Sequence, residues 1–403
     1  MTERLYYRDS FLYDFEAKVI RLREQSGRVA IVLDRTAFYP TSGGQTFDTG
    51  ALRAASGAEV QVEEVAETED GIILHYVSVA LVAGVSVHGS IDAARRRDHM
   101  QQHSGQHVLS AAFVRLFDMP TVSFHMGDEG CTIDLETKSL TRRQVEQAEL
   151  LANEVVTEDR PVEVRFVAPE EARALGVRKI PETERDKLRL IDIRDFDLTA
   201  CGGTHVRSTG QIGAILLRKT ENVKQGVRVE FVCGGRAVTT ARQDYSALTE
   251  AAGALSTHIW ELPQQVRKSL DDAKAGARAQ QKLLEEVAEL AAARLLADAP
   301  VENGRKKIVR VIADRELAFV RLLAQKIAGA GEPAVALLAS TLGQPTLVFA
   351  QSPGLPSDMG AEMRKAMAAL GGRGGGSRDF AQGGAPDGSR IAAVLHEIAQ
   401  ALR

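Results

Sequence analysis

Asp98-His99-Met100-Gln101-Gln102-His103-Ser104-Gly105-Gln106-His107 carries three histidines at four-residue intervals. Four residues make about one helical turn, so neighbouring imidazoles in this run share a face and can reach one cation. A straight helix cannot bring all three to one ion, because His99 and His107 lie about 12 Å apart along the axis. The spacing leaves the 99/103 and 103/107 pairs equally open. Residue 104 is serine, so the His-Glu-x-x-His protease signature, which needs a Glu general base there, is not met.

The chain changes character on either side of this stretch. Residues 1–92 hold short β-rich runs (Val29–Leu33, Val60–Val65, Ile72–Val77, Val85–Ile91) separated by turn signals. This pattern predicts a small barrel. Tyr39-Pro40-Thr41-Ser42-Gly43-Gly44-Gln45 is too rich in Gly, Ser and Pro for a strand interior and predicts a long loop. Residues 93–235 turn to mixed structure, with a helix over Leu140–Val156 capped by Thr141 and strands at Val162–Val167, Ala214–Lys219 and Val227–Cys233.

Residues 236–300 predict a helical arm. Val266, Leu270, Ala273, Ala277, Leu284, Val287 and Ala291 follow coiled-coil spacing, broken at Gln280. Residues 301–403 predict an α/β domain with a Gly-rich loop, Gly371-Gly372-Arg373-Gly374-Gly375-Gly376-Ser377-Arg378, running on to Ala381-Gln382-Gly383-Gly384. The predicted class is α+β, in four parts: barrel, metal-bearing domain, arm and C-terminal domain.

Cys201-Gly202-Gly203-Thr204-His205 places a second pair of donors at four-residue spacing, on a glycine-rich turn. Two histidines from a helix with a Cys and a His from a loop suit tetrahedral Zn²⁺. The sulfur argues against Mg²⁺ and Ca²⁺, which take oxygen ligands. Cys201 would bind as thiolate.

Composition sets the remaining bounds. The 403 residues carry a formal net charge of −4, which argues against a general nucleic-acid coat but allows a local basic face. Three cysteines are too few for a disulfide framework and fit a reducing cytosol. No run approaches the roughly 18 apolar residues of a membrane span, and the N-terminus lacks the apolar core of a signal peptide. A cytoplasmic protein is the expectation.

With these residues in view, His103–His107 and Cys201–His205 together resemble the editing domain of alanyl-tRNA synthetases and the free-standing AlaX alanyl-tRNA editing proteins. Phe38–Gly50, with Gly43-Gly44-Gln45, resembles that family's Gly-Gly-Gln segment, and Gly226-Val227-Arg228 a later motif whose arginine supports editing. The C-terminal Gly-rich run resembles the synthetases' tRNA-binding C-terminal domain. The resemblance favours the 103/107 pair and implies one zinc per chain on His103, His107, Cys201 and His205. It implies catalytic roles for Gln45, Gln106 and Arg228, and a substrate pocket with Thr41, Ser42, Gly43, Gly44 and Thr204. Gln106 stands where synthetases often carry Thr.

The activity implied is hydrolysis of mischarged alanine tRNA, Ser-tRNA(Ala) foremost and Gly-tRNA(Ala) beside it. The chain opens on the barrel, so it is expected to hydrolyse and not to charge. Arg95, Arg96, Arg305, Lys306, Arg373 and Arg378 are the expected contacts to tRNA. A homodimer through the arm or the C-terminal domain is the other expected partnership.

Three rival readings share part of this evidence. The first is a zinc-stabilised tRNA-binding protein without hydrolysis. The second is a phosphoesterase of the Asp-His-His class, disfavoured because Asp98-His99-Met100 lacks the second His. The third is correction of another tRNA, such as that for threonine.

Overall fold

Alternation of buried and exposed residues builds the first sheet. In β6 (Glu59–Glu67), Val60 and Val62 point inward between exposed neighbours, and Val65 does so beyond a register shift that follows Val62. The computed structural model describes residues 2–25, 27–177, 187–224 and 226–402. The short strands β1 (Glu3–Arg4) and β4 (Arg35–Thr36) pair in parallel. The longer ones, β2 (Asp14–Gln25), β3 (Arg28–Leu33), β5 (Gly50–Ala54), β6, β7 (Ile73–Val77) and β8 (Ser86–Ile91), close into a barrel of order β2-β3-β7-β6-β5-β8. Its interior is filled by Phe15, Val19, Ile31, Leu33, Leu52, Ile73 and Val87, among others. The expected barrel is present.

Helix α1 (Ala93–Phe117) leaves the barrel directly from β8. The Asp92 carboxylate caps it by accepting from the Ala94 and Arg95 amides, and Asp118 ends it in the left-handed region at φ 52°. Gly105 lets α1 approach the neighbouring sheet, since a Cβ there would fall 2.2 Å from Cys233 Sγ. Gln102 then bonds both the N–H and the C=O of Cys233, which ties helix to strand.

Arg96 corrects an expectation. It is fully buried, bonds the Asp48 carboxylate and donates to the Ser10 and Ala37 carbonyls. No phosphate can reach it. A buried pair of this kind locks the start of α1 to the loop carrying Tyr39–Asp48, and removing one partner typically costs about 3–5 kcal/mol.

β9 (Thr121–Met126), β10 (Cys131–Leu135), β14 (Ile215–Val223) and β15 (Gly226–Cys233) form an antiparallel sheet of order β14-β15-β10-β9. Its apolar face packs with α1 and α2 (Arg142–Thr157) around Phe113, Ile133, Val155, Val229 and Phe231. Thr141 caps α2 in a capping box with Gln144, as its sequence signalled. β11 (Val162–Val167), β12 (Leu188–Ile193) and β13 (Asp197–Ala200) make a second antiparallel sheet, with the short α3 (Pro169–Ala174) between its first two strands.

The chain divides into two compact units, residues 1–250 and 251–403. The helical region is two helices, α4 (Gly234–Ala254) and α5 (Leu262–Asp298), where one arm was expected. Its break falls at 255–261, where Ser256 takes φ 50°.

In the second unit a six-stranded sheet runs β16 (Val301–Glu302), β17 (Arg305–Ile312), β18 (Ala334–Ser340), β19 (Thr346–Gln351), β21 (Phe380–Gly384), β20 (Arg373–Gly376). Alternate residues face opposite helix layers. Ala336 and Leu338 meet α6 (Leu317–Ala328) and the end of α5, while Val335 and Leu337 meet α7 (Met359–Leu370) and α8 (Ile391–Ala401).

The Gly-rich run is not a loop. It forms the β20–β21 hairpin, with Gly374 facing Gly383. The glycines answer a packing need: a Cβ on Gly374 would sit 2.4 Å from Gly383 Cα, and one on Gly383 would sit 2.5 Å from Met367 Sδ of α7. Arg305, expected to hold tRNA, is 3% exposed and donates to Ser357, so it too is withdrawn from that role. No helix among the described residues is long and apolar enough to cross a membrane.

Candidate metal centre

Helix α1 and the loop after β13 meet at one point. The ligand atoms of His103, His107, Cys201 and His205 lie within 4.8 Å of one another. Cys201 Sγ is 3.4 Å from both His103 Nε2 and His205 Nε2. Tetrahedral zinc, with bonds of about 2.3 Å to sulfur and about 2.0 Å to nitrogen, puts S and N about 3.5 Å apart, so these two pairs match such an ion and the cluster could hold a metal. The three imidazoles are nearly buried, and Cys201 is half-buried.

The outer nitrogens decide which atoms face inward. His103 Nδ1–H donates to Gln45 Oε1 at 2.7 Å, and His205 Nδ1–H to Ser104 Oγ at 3.1 Å. His107 Nδ1 lies 3.6 Å from Asp197 Oδ2. With Nδ1 engaged outward in all three, Nε2 is left to face the centre, the usual arrangement around a metal-bound histidine.

The electrostatics agree with a thiolate site. Burial by itself raises the Cys201 pKa, but His103 and His205 beside it draw the thiol well below its ordinary range. Burial lowers His107, yet Asp197 and Cys201 outweigh it and hold that imidazole at about 9. Burial dominates at His205, pushing it down to about 3. A thiolate among imidazoles is the protonation pattern that a soft divalent cation replaces.

Local backbone features explain the motif glycines. Gly203 packs on a ligand: its Cβ would lie 2.2 Å from His103 Cε1. Gly44 has φ +83° and would place a Cβ 2.4 Å from the Phe124 carbonyl. Paired Ser42–Gln45 backbone bonds fold the 41–45 loop back on itself, which delivers Gln45 to His103.

The expected site residues divide by place. Gln45 and Thr204 are buried behind the ligands, joined by a Gln45 Nε2 to Thr204 Oγ1 bond of 2.8 Å. Thr41, Ser42 and Gly43 are exposed on the same loop. Gln106 donates to Ser110, away from the ligand set. Arg228 bonds Asp134 with two hydrogen bonds, 2.7 and 2.9 Å, on the open face of the four-stranded sheet. His99 stands outside the cluster, 3.3 Å from Thr46 Oγ1 through Nε2, so the 103/107 pair is the one assembled.

Arg95 lies along Phe47 and donates to its carbonyl. Lys306 pairs with Glu332, while Arg373 and Arg378 are exposed. Sequence reading passed over Ser104 and Asp197 as partners of the ligands. Its only available signal was that buried metal-binding imidazoles need an outer acceptor.

Two family models match the chain: "tRNA synthetases class II (A)" over residues 9–95, and "Threonyl and Alanyl tRNA synthetase second additional domain" over residues 188–229. The alanyl-tRNA editing protein AlaX-L of Pyrococcus horikoshii is 30% identical over 389 residues, covering 95% of this chain and 94% of its own. The chain belongs to the alanyl-tRNA editing protein family. Alanine–tRNA ligases of Pyrococcus abyssi and Pyrococcus furiosus are 31% and 32% identical across 100% of this chain, which spans 44% of each ligase. The second model ends at Val229, so in this member of the editing family it takes in Cys201, His205 and Arg228.

Proposed function

We propose that the chain hydrolyses the ester of mischarged alanine tRNA, Ser-tRNA(Ala) first and Gly-tRNA(Ala) second, without charging tRNA itself. The observation that carries this reading is the convergence of the donor atoms of His103, His107, Cys201 and His205 to within 4.8 Å of one another, beside the exposed Thr41–Gly43 segment. The similarity to AlaX-L over nearly its whole length supports trans-editing. A zinc ion held by the four ligands would supply positive charge to polarise the ester or orient the amino acid's α-amino group.

The chain's own residues do the rest. Gln45 and Thr204 fix the His103 ring and act as positioning groups, since both are buried. Alanine is smaller than serine and cannot be excluded by size, so selection must reward the serine hydroxyl with a polar partner. Thr41 and Ser42 offer hydroxyls for that purpose, and Gln106 is the further candidate from α1. Gly43 and Gly44 keep the loop slim enough for the terminal adenosine. Arg228 is proposed to shape the site through its Asp134 pair. Arg95, Lys306, Arg373 and Arg378 remain the proposed tRNA contacts. A cytoplasmic location and a homodimer through α5, where Leu270, Leu283 and Leu290 are exposed, complete the proposal.

The test is a deacylation panel with Ser-, Gly- and Ala-tRNA(Ala) and Ser-tRNA(Thr), with zinc content and alanine charging measured on the same sample. Wild type should contain about one zinc, release serine and glycine, spare Ala-tRNA(Ala), and not charge. Cys201→Ala should lose both zinc and activity. Zinc-loaded wild type that binds tRNA yet leaves every ester intact would establish the non-hydrolytic binding role instead.

A further inference from the structure

We propose that Asp197 is a positioning residue whose carboxylate charge sets how tightly the four-ligand centre holds its divalent cation. The inference rests on the zinc reading of the site given above. Among the described residues, His107 is the one candidate ligand imidazole whose outer nitrogen meets an ionisable group: Nδ1 and Asp197 Oδ2 are 3.6 Å apart, and both side chains are 5% exposed. The outer partners of His103 and His205 are the neutral oxygens of Gln45 and Ser104.

Charge makes this difference consequential. A divalent cation with one thiolate leaves a net charge of about +1 in a region screened little by water. The Asp197 carboxylate sets a negative charge against this excess from 3.6 Å behind His107. It also favours the tautomer that presents His107 Nε2 to the ion and raises that nitrogen's basicity. Thr199 Oγ1 donates to Asp197 Oδ2 at 2.8 Å, which holds the carboxylate in place. Both residues lie on β13, the strand that runs directly into Cys201, so one rigid element presents a ligand and its partner's counter-charge together. Gln45 and Ser104 can orient their rings but cannot offset charge.

The experiment uses the full chain. Zinc affinity is measured by competition with a chelator of known strength at pH 7.5, and the Co²⁺-substituted protein is followed by its thiolate-to-metal absorption. Asp197→Asn keeps the shape and an acceptor oxygen but removes the charge, and should weaken zinc about tenfold. Asp197→Ala removes both and should weaken it about a hundredfold, the span typical of outer partners. Ser104→Ala should cost less than Asp197→Asn. Thr199→Val, which removes one hydrogen bond that holds the carboxylate and keeps its charge, should weaken zinc several-fold and decides the matter should an Asp197 variant fail to fold by far-UV circular dichroism. Zinc bound by Asp197→Asn, or by Thr199→Val in that case, as tightly as by wild type would overturn the proposal. Zinc-loaded wild type inactive on every ester would sink the editing reading alone and leave this one standing.

Discussion

His75 lies fully buried in the barrel, with Nε2 2.8 Å from Thr36 Oγ1 and Nδ1 3.2 Å from the Ile31 carbonyl. Burial pushes its pKa from 6.5 down to about 4. The folded chain therefore refuses a proton that the unfolded chain accepts. Stability from this group is complete above pH 6.5 and drains away as the pH falls towards 4, by about 3 kcal/mol at most. Urea midpoints taken from pH 7.5 to 4.5 should show that fall, and His75→Gln, which does not titrate, should flatten it. Equal pH profiles for the two proteins would refute the assignment.

Single residues were unevenly legible. The metal ligands stood out because four-residue spacing on a helix and a Cys-Gly-Gly-Thr-His turn constrain chemistry strongly. Gln45 was readable as a site residue, but its burial behind His103 depends on a fold-back at Ser42 that no pattern announces. Arg95-Arg96-Arg97 looked uniform, and only tertiary packing separates buried Arg96 from exposed Arg97. Gly203 was read as turn chemistry, whereas its true constraint is the His103 ring.

At the scale of elements, period-two strands such as β15 and the capped α2 were plain. β2 was not, although it is the longest strand of the barrel. Its apolar residues run 15, 17, 19 and then 20, 22 across a register shift with β3 between Val19 and Arg21, and Ile20 and Leu22 are exposed. An alternation that inverts halfway cannot be seen as alternation. The β20–β21 hairpin was hidden for another reason. Glycine usually signals a loop, but here it makes room for α7.

That reading separates two adjacent glycines. A Cβ on Gly374 would meet backbone at 2.4 Å, while one on Gly375 would meet nothing within 4 Å. Gly374→Ala should destabilise the C-terminal unit by about 1–3 kcal/mol, and Gly375→Ala should be near neutral. Thermal melts of both variants check this, and similar losses at the two positions would show that chain flexibility matters more than packing.

On the scale of the whole molecule, the composition and the order of motifs anticipated a barrel first, a mixed region with the candidate metal ligands next and an α/β sheet last. The sequence could not reveal that residues 1–250 fold as one unit, because α1 is joined to the loop before β5 by the buried Arg96–Asp48 pair and to the four-stranded sheet by the close approach of Gly105 to Cys233. Those contacts join positions about fifty or more residues apart, and only the folded chain brings them together.

Helix α5 carries one more consequence. Its buried residues, Ala288, Ala292 and Leu296, all sit near its C-terminal end, and every residue from 270 to 283 is exposed. That stretch has no core to hold it and relies on local pairs such as Asp271–Lys274 and Gln281–Glu285. Brief trypsin treatment of the monomer, at a dilution that separates any dimer, should therefore nick first after Lys274, Arg278 or Lys282, leaving two resistant fragments that mass spectrometry can size. A first cut inside either sheet would mean that the bare middle of this rod is better guarded than its own surroundings explain.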